Sequence, residues 1–186
     1  MNDQPSIISS HGGYRNLKSY QTAEIIYDAT TKFCERFIDP RSRTTDQMIQ
    51  AARSGKQNIA EGSQASGTSK KTELKLVGVA RASLEELLLD YQDFLRQHGL
   101  ELWDKRHPQS QNIRKLAYEN NRSYLTYRTY IEKSSAQVAA NTLICLIHQA
   151  NYLLDQLLRQ LEQQFLNEGG FTEKLYHSRQ NFKKRT

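Results

Sequence analysis

Hydrophobic positions recur at intervals of three and four through most of this chain, while strand-like alternation is nearly absent, so the pattern predicts helices throughout. The first runs from about Asn16 to Phe37, with Leu17, Tyr20, Ala23, Tyr27, Cys34 and Phe37 on one stripe, Ile26 and Phe33 beside it, and Asp39-Pro40 as its stop. The second begins at Thr44. There Thr44-x-x-Gln47 reads as a capping box that satisfies orphan backbone N–H groups, and Asp46 favours the helix dipole. It is expected to end near Gly62, before a turn, G-S-Q-A-S-G-T-S, in which Thr68 or Ser69 can cap the next helix. A short turn between long helices implies antiparallel neighbours.

The third helix, about Lys70 to Gln97, has two adjacent seams: Leu74, Val77, Leu84, Leu88, Tyr91 and Leu95, interrupted by Arg81, and Val77, Ala80, Leu84, Leu87, Tyr91 and Phe94. Together they are broader than one partner needs, so this helix touches two neighbours in the bundle, or one inside and one in another subunit. From His98 to Gln109 the pattern breaks into a connector, and Ser110 to Glu132 keeps only partial helical spacing. The last long helix, about Ser135 to Asn167, carries Leu143, Ile147, Ala150, Leu154, Leu157, Leu161 and Phe165, and Gly169-Gly170 ends it. The final segment docks by Phe171 and Leu175 or hangs free. Pro5, Pro40 and Pro108 lie outside every long periodic stretch. The expected fold is all-α: an antiparallel up-down four-helix bundle with an additional helical segment and connector. Its layout is a disordered N-terminus over 1–13, one helical bundle over 14–167 (core to 97, connector or insert 98–134, last helix 135–167) and a basic C-terminal tail over 168–186.

The second helix has an unusually small buried seam, Met48, Ala52, Gly55 and Ile59, with Ala51 alongside. Glycine inside a helix costs about 1 kcal/mol relative to alanine, so Gly55 implies a backbone packed close by. Pairing residues about the turn places Gly78 opposite Arg53 and Gly55, and the expected close-packing set is therefore Ala51, Ala52, Gly55 and Gly78. Neither glycine needs a ligand to explain it.

A chain of 186 residues with 37% hydrophobic content supports one core rather than two full domains. No run of about 18 apolar residues could span a bilayer, and the polar start lacks the parts of a signal peptide. A soluble cytoplasmic protein without a membrane partner is expected. Cys34 and Cys145 sit in apolar helical patterns, which fits reduced, buried thiols.

The net charge of +6 and pI near 9.3 permit contact with nucleic acid or acidic partners. Candidate cations are Lys56, Lys70, Lys71 and Lys75 around the second turn, and Arg179, Lys183, Lys184 and Arg185 in the tail, a cluster that is otherwise a solvated terminus. Arg114, Lys115, Arg122 and Arg128 interleave with Tyr118, Tyr124, Tyr127 and Tyr130, a composition that stacks bases and neutralises phosphate or else leaves the tyrosines to the core. The polar face of the second helix carries Gln47, Gln50, Arg53, Ser54, Gln57, Asn58 and Glu61. That face is either solvated or a contact in which Arg53 and Arg81 meet Glu61, Glu85 or Glu86.

Chemistry finds no carrier. Metal catalysis in a bundle uses inward carboxylates with Glu-x-x-His repeats. Cys145-x-x-His148 lacks a second ligand pair, and Asp104-x-x-His107 lies in a loop. Phosphate loop, nucleophile elbow and dinucleotide fingerprint are missing. Neither enzymatic activity nor a cofactor is expected.

The run Q-A-A-R-S-G-K-Q-N-I-A-E-G, followed by V-A-R-A-S-L-E-E-L, resembles the four helix bundle family first recognised in proteins encoded within intervening sequences of large-subunit ribosomal RNA, over roughly residues 14 to 97. The stretch A-N-T-L-I-C-L-I-H-Q-A-N-Y-L-L-D-Q-L, with F-L-N-E-G-G-F-T-E-K-L after it, is similar to the suffix extension of a long subset of that family. The resemblance implies an antiparallel four-helix bundle and, in relatives, a homopentameric barrel. One branch is the accessory protein of diversity-generating retroelements, which binds a reverse transcriptase and nucleic acid through a basic surface. No catalytic residues come with it. The leading expectation is a non-enzymatic, self-associating accessory factor for RNA, DNA or a nucleic-acid-processing complex; the alternative is a scaffolding homo-oligomer that contacts only protein.

Overall fold

The structure, a computed structural model, describes Ile8 and residues 10–184. Among these residues the secondary structure is helical: a 3-10 turn at Tyr14–Asn16, then α1 (Lys18–Phe37), α2 (Arg43–Ala65), α3 (Lys70–Gln97), α4 (Pro108–Leu116), α5 (Tyr124–Glu132), α6 (Ala136–Glu168) and α7 (Phe171–Lys183). Hydroxyl caps set several of the starts, since a side-chain oxygen can accept from N–H groups that lack a helical partner. Ser69 Oγ accepts from Thr72 N–H and Ser135 Oγ from Val138 N–H. Pro108 occupies the first turn of α4, where its missing N–H costs nothing, and Gly169 closes α6 with φ 69°.

Several sequence expectations change. Ser42, not Thr44, caps α2: its Oγ accepts from Thr44 N–H at 3.2 Å. The helix also runs past Gly62 to Ala65, because Gly62 serves packing rather than termination; a Cβ there would lie 3.4 Å from Glu73 O and from Leu76 Cβ. The partial pattern from 110 to 132 is two helices, parted by a turn in which Asn121 takes φ 58°. Of the expected N-terminal disordered segment, residues 1–7 and 9 lie outside the described residues. Within that span Gly12 donates its N–H to Ser63 O and accepts from Ser63 Oγ, both at 3.0 Å.

Paired contacts give the directions. Ser54 meets Ser83 at 2.9 Å while Gly62 meets Leu76 and Val77, so α2 and α3 run in opposite senses. Arg81 bonds Asp155 and Glu85 bonds Asn151, so α3 and α6 do the same. The helix α1 packs on α2, α5 and α6, and α4 packs on α6. Aromatic rings fill one end of the core: Phe33 sits 5.0 Å from both Tyr91 and Phe94 in edge-to-face geometry. Tyr91 is fully buried, and its hydroxyl donates to Thr30 Oγ1 at 3.0 Å. Buried Asn141 staples the connector to α6, accepting from Trp103 N–H and donating to Glu101 O, each at 2.8 Å.

Gly55 is crowded by a side chain rather than by the expected backbone, whose nearest atom, Ala80 O, lies 3.6 Å from the Cβ position, and the expectation fails at Gly78. A Cβ on Gly55 would lie 2.7 Å from Leu84 Cδ2, whereas one on Gly78 meets nothing within 4 Å. The pairing of α2 with α3 is shifted from the one inferred about the turn: Leu84 faces Gly55, and Gly78 lies away from that crossing. Buried Ala51 and Ala52 complete the small face of α2. On α3, Val77, Ala80, Leu84, Leu87, Leu88, Tyr91, Phe94 and Leu95 are buried, while Val79 and Leu89 on the outer side are 41% and 56% exposed.

Gly55→Ala must displace buried Leu84, and overpacking of about 1–3 kcal/mol outweighs the helix-propensity gain of about 1 kcal/mol. Gly78→Ala meets only open space and is expected to stabilise by about 0.5–1 kcal/mol. Urea unfolding of the two variants should therefore move the midpoint in opposite directions. Asn141→Ala strands the buried Trp103 N–H and Glu101 carbonyl, a loss of about 1–3 kcal/mol. Trp103 is the single tryptophan, and its emission should shift to the red in that variant.

Candidate nucleic-acid interface and the fate of the predicted cations

Several of the predicted basic residues are engaged within the chain. Lys56 stands 4.4 Å over the Tyr27 ring, on the α1 side of α2, and so belongs to a cation–π contact rather than to the α2–α3 turn. Lys70, at the start of α3, pairs at 2.9 Å with Glu73, a buried residue. Arg122 donates to Thr22 Oγ1 of α1, and Thr22 is fully buried. That bond ties the turn between α4 and α5 to the body. Arg128 holds Glu132 at 2.9 Å, and Glu132 also accepts from Tyr124 Oη at 2.7 Å. Arg128 and then Tyr124 hold the Glu132 carboxyl below the usual range. Lys71, Lys75, Arg114 and Lys115 are exposed.

The expected network of Arg53, Glu61, Arg81 and Glu85 is different in detail. Arg81 clamps α3 to α6 through Asp155 at 2.6 Å and lies 3.8 Å from Glu85 on its own helix. Of the expected partners it meets Glu85, and its shorter contact is with Asp155, which the sequence reading did not name. Arg53 and Glu61 are exposed on α2. The tyrosines divide too: Tyr127 is fully buried, Tyr124 and Tyr130 are half-buried against the core, and Tyr118 is 89% exposed.

Two further regions carry cations. One is an open groove of about 810 Å³ between α1 and the α4–α5 turn, where Arg15, Lys18, Arg122 and Tyr118 face Glu24, Asp28 and Glu119. Arg15 and Lys18 were missed in the sequence, although both stand at the polar start of the first periodic segment. Its mixed charge weakens its attraction for phosphate. The other is α7, which has no buried residue and carries Lys174, Arg179 and Lys183, with Lys184 just beyond. Phe171 and Leu175 do not bury it: Phe171 is half-buried and Leu175 is 40% exposed. Glu168, at the end of α6, bonds Lys174 at 2.9 Å, and Lys174 and then Lys70 hold its carboxyl below the usual range. This brings the start of α3 and the start of α7 to the same end of the molecule. Arg185 lies outside the described residues.

Among the described residues, no three His, Cys, Asp or Glu side chains converge on a point that could hold a metal ion. Cys145 is buried while His148, one turn on, is exposed, so that pair does not share an environment. Asp104 Oδ1 accepts from the N–H groups of Arg106 and His107, and the His107 ring stacks on Trp103 at 4.7 Å. Both serve the connector. No helix among the described residues is long and apolar enough to cross a membrane.

Burial pushes the Cys34 thiol up to about 12, with the charges of Asp90 and Glu35 adding to it, and burial also raises Cys145. Native protein should therefore leave both thiols unreacted toward a disulfide reagent at pH 8, and urea should release both. A raised thiol pKa means that the unfolded chain ionises first. Above its ordinary value of 9.0 the unfolded state binds fewer protons than the folded state, so stability falls as pH rises toward 12. The slope from Cys34 is up to about 1.4 kcal/mol per pH unit, and Cys34→Ala should remove that share from urea titrations at pH 9 to 11. No protein-family model, curated protein or solved structure matches this chain.

Proposed function

We propose that the chain is a non-enzymatic, self-associating helical protein whose C-terminal arm docks RNA or DNA, on its own or within a nucleic-acid-processing complex. In this reading α1, α2, α3 and α6 form an antiparallel up-down four-helix bundle, with α4 packed on α6 and α5 on α1 and α6. The opposed senses of α2 with α3 and of α3 with α6, together with the packing of α1 on α2 and α6, support that arrangement.

The observation that carries the functional reading is α7. A helix of 13 residues is marginal in water without tertiary support, and this one buries no side chain. It carries Lys174, which Glu168 at the end of α6 already holds, and Arg179 and Lys183 with one carboxylate of its own, Glu173, and Tyr176 62% exposed beside them. Cations release counterions from a phosphate backbone, and an exposed tyrosine stacks on an unpaired base. A single-stranded segment fits both contacts. A scaffold that binds only protein is the second reading, supported by the exposed apolar side chains of Leu175 and Phe182 on the same helix.

Fluorescence anisotropy with a labelled single-stranded 20-mer, titrated at several salt concentrations, separates the two. Docking predicts affinity that falls steeply with salt, and Arg179→Ala/Lys183→Ala/Lys184→Ala should flatten the log–log slope by about 2, at roughly 0.7 per phosphate contact. Binding that is absent, indifferent to salt or unchanged in the triple variant would leave the scaffold.

A further inference from the structure

We propose that the outer stripe of α3 (Lys75, Val79, Ala82, Glu86, Leu89 and Asp93) is a two-fold interface on which a second copy of this chain lays the same helix antiparallel. The proposal rests on the self-association put forward above and names its surface and geometry.

These positions follow one another at steps of four and three, the spacing of a seam between paired helices, and all six are exposed. They lie opposite the buried seam that meets α2 and α6, and among the described residues Val79 and Leu89 stay 41% and 56% exposed. The charge along the stripe is polarised. Lys71 and Lys75 are exposed in its first half; Glu86, Asp90 and Asp93 occupy its second half. Burial, and then the charges of Glu86 and Asp93, raise the Asp90 carboxyl above the usual range. Arg96 offsets part of it through an exposed pair with Asp93 at 2.9 Å.

Such a stripe is complementary to its own reverse. In the register that sets Val79 against Leu89 of the second copy, Lys75 falls against Asp93 and small Ala82 against Glu86. A two-fold axis makes every such contact twice. Parallel pairing would instead align lysine with lysine and acid with acid. Nucleic acid is a poor occupant, because half the stripe is acidic.

The test is sedimentation equilibrium on the full chain and on Lys75→Glu, Asp93→Lys and the double exchange, with circular dichroism on each. Either single change sets like charges across the seam and should weaken the dimer at least about tenfold. The double exchange restores opposite charges and should recover most of that loss. Independently, Val79→Cys/Leu89→Cys should oxidise to a covalent dimer while Val79→Cys alone does not; Cys34 and Cys145 are buried and leave that assay clean. A wild-type chain that stays monomeric would sink both this interface and the self-association it rests on. Wild-type association that ignores the single changes, fails to be rescued by the exchange and gives no 79–89 cross-link overturns this interface alone. An odd-numbered ring does the same.

Discussion

Leu84 occupies the space that a side chain on Gly55 would need. A Cβ at Gly55 would lie 2.7 Å from Leu84 Cδ2, and Leu84 has no exposed surface to retreat to. Seven residues on, Gly62 brings α2 to the backbone of Glu73 and the side chains of Leu76 and Val77. Two glycines thus let α2 and α3 approach closely over two turns, with Ala51 and Ala52 keeping the rest of that face small. The rotation of α3 follows from this contact: with Leu84 turned toward Gly55, Arg81 points at Asp155 and Glu85 at Asn151 on α6. Its opposite side, with Val79 and Leu89, is turned outward.

Around this pair, polar groups decide where the less regular segments go. Buried backbone groups need partners. Asn141 meets the need for Trp103 and Glu101, and so fixes the path of the connector. Arg36 closes α5 by donating to Ile131 O and Ser134 O. Arg122 holds the α4–α5 turn against buried Thr22. Each uses a long or branched polar side chain to secure a segment that has little apolar surface of its own. They also remove cations from any pool available to an external partner, which is why charge counted along the chain overstates the basic surface.

Two exposed features then have different physical characters. The arm α7 is cationic and has no fully buried residue, a character suited to a flexible polyanion. The outer stripe of α3 is apolar with opposite charges at its two halves, suited to a rigid helix of reversed polarity. They lie on different helices, so the proposed association and the proposed nucleic-acid docking use different residues.

The long helices were legible from periodicity alone, because burial of one face repeats every turn: α3 runs from Lys70 to Gln97, as the apolar spacing predicts. Gly55 was legible as a close-packing site for the same reason. Less was legible of the candidate site. The sequence showed which residues carry charge, but whether Lys56, Lys70, Arg81 and Arg122 face outward depends on Tyr27, Glu73, Asp155 and Thr22. Three of these are several helical turns or a whole helix distant along the chain. Gly78 and Gly55 look alike in one dimension; only the rotation of α3 against α2 makes one of them crowded and leaves the other bare. The sequence by itself determined the helices and their apolar faces, since those depend on neighbours three or four residues apart. Tertiary structure alone decided which cations stay available and which face of α3 is left open, since those depend on contacts between helices.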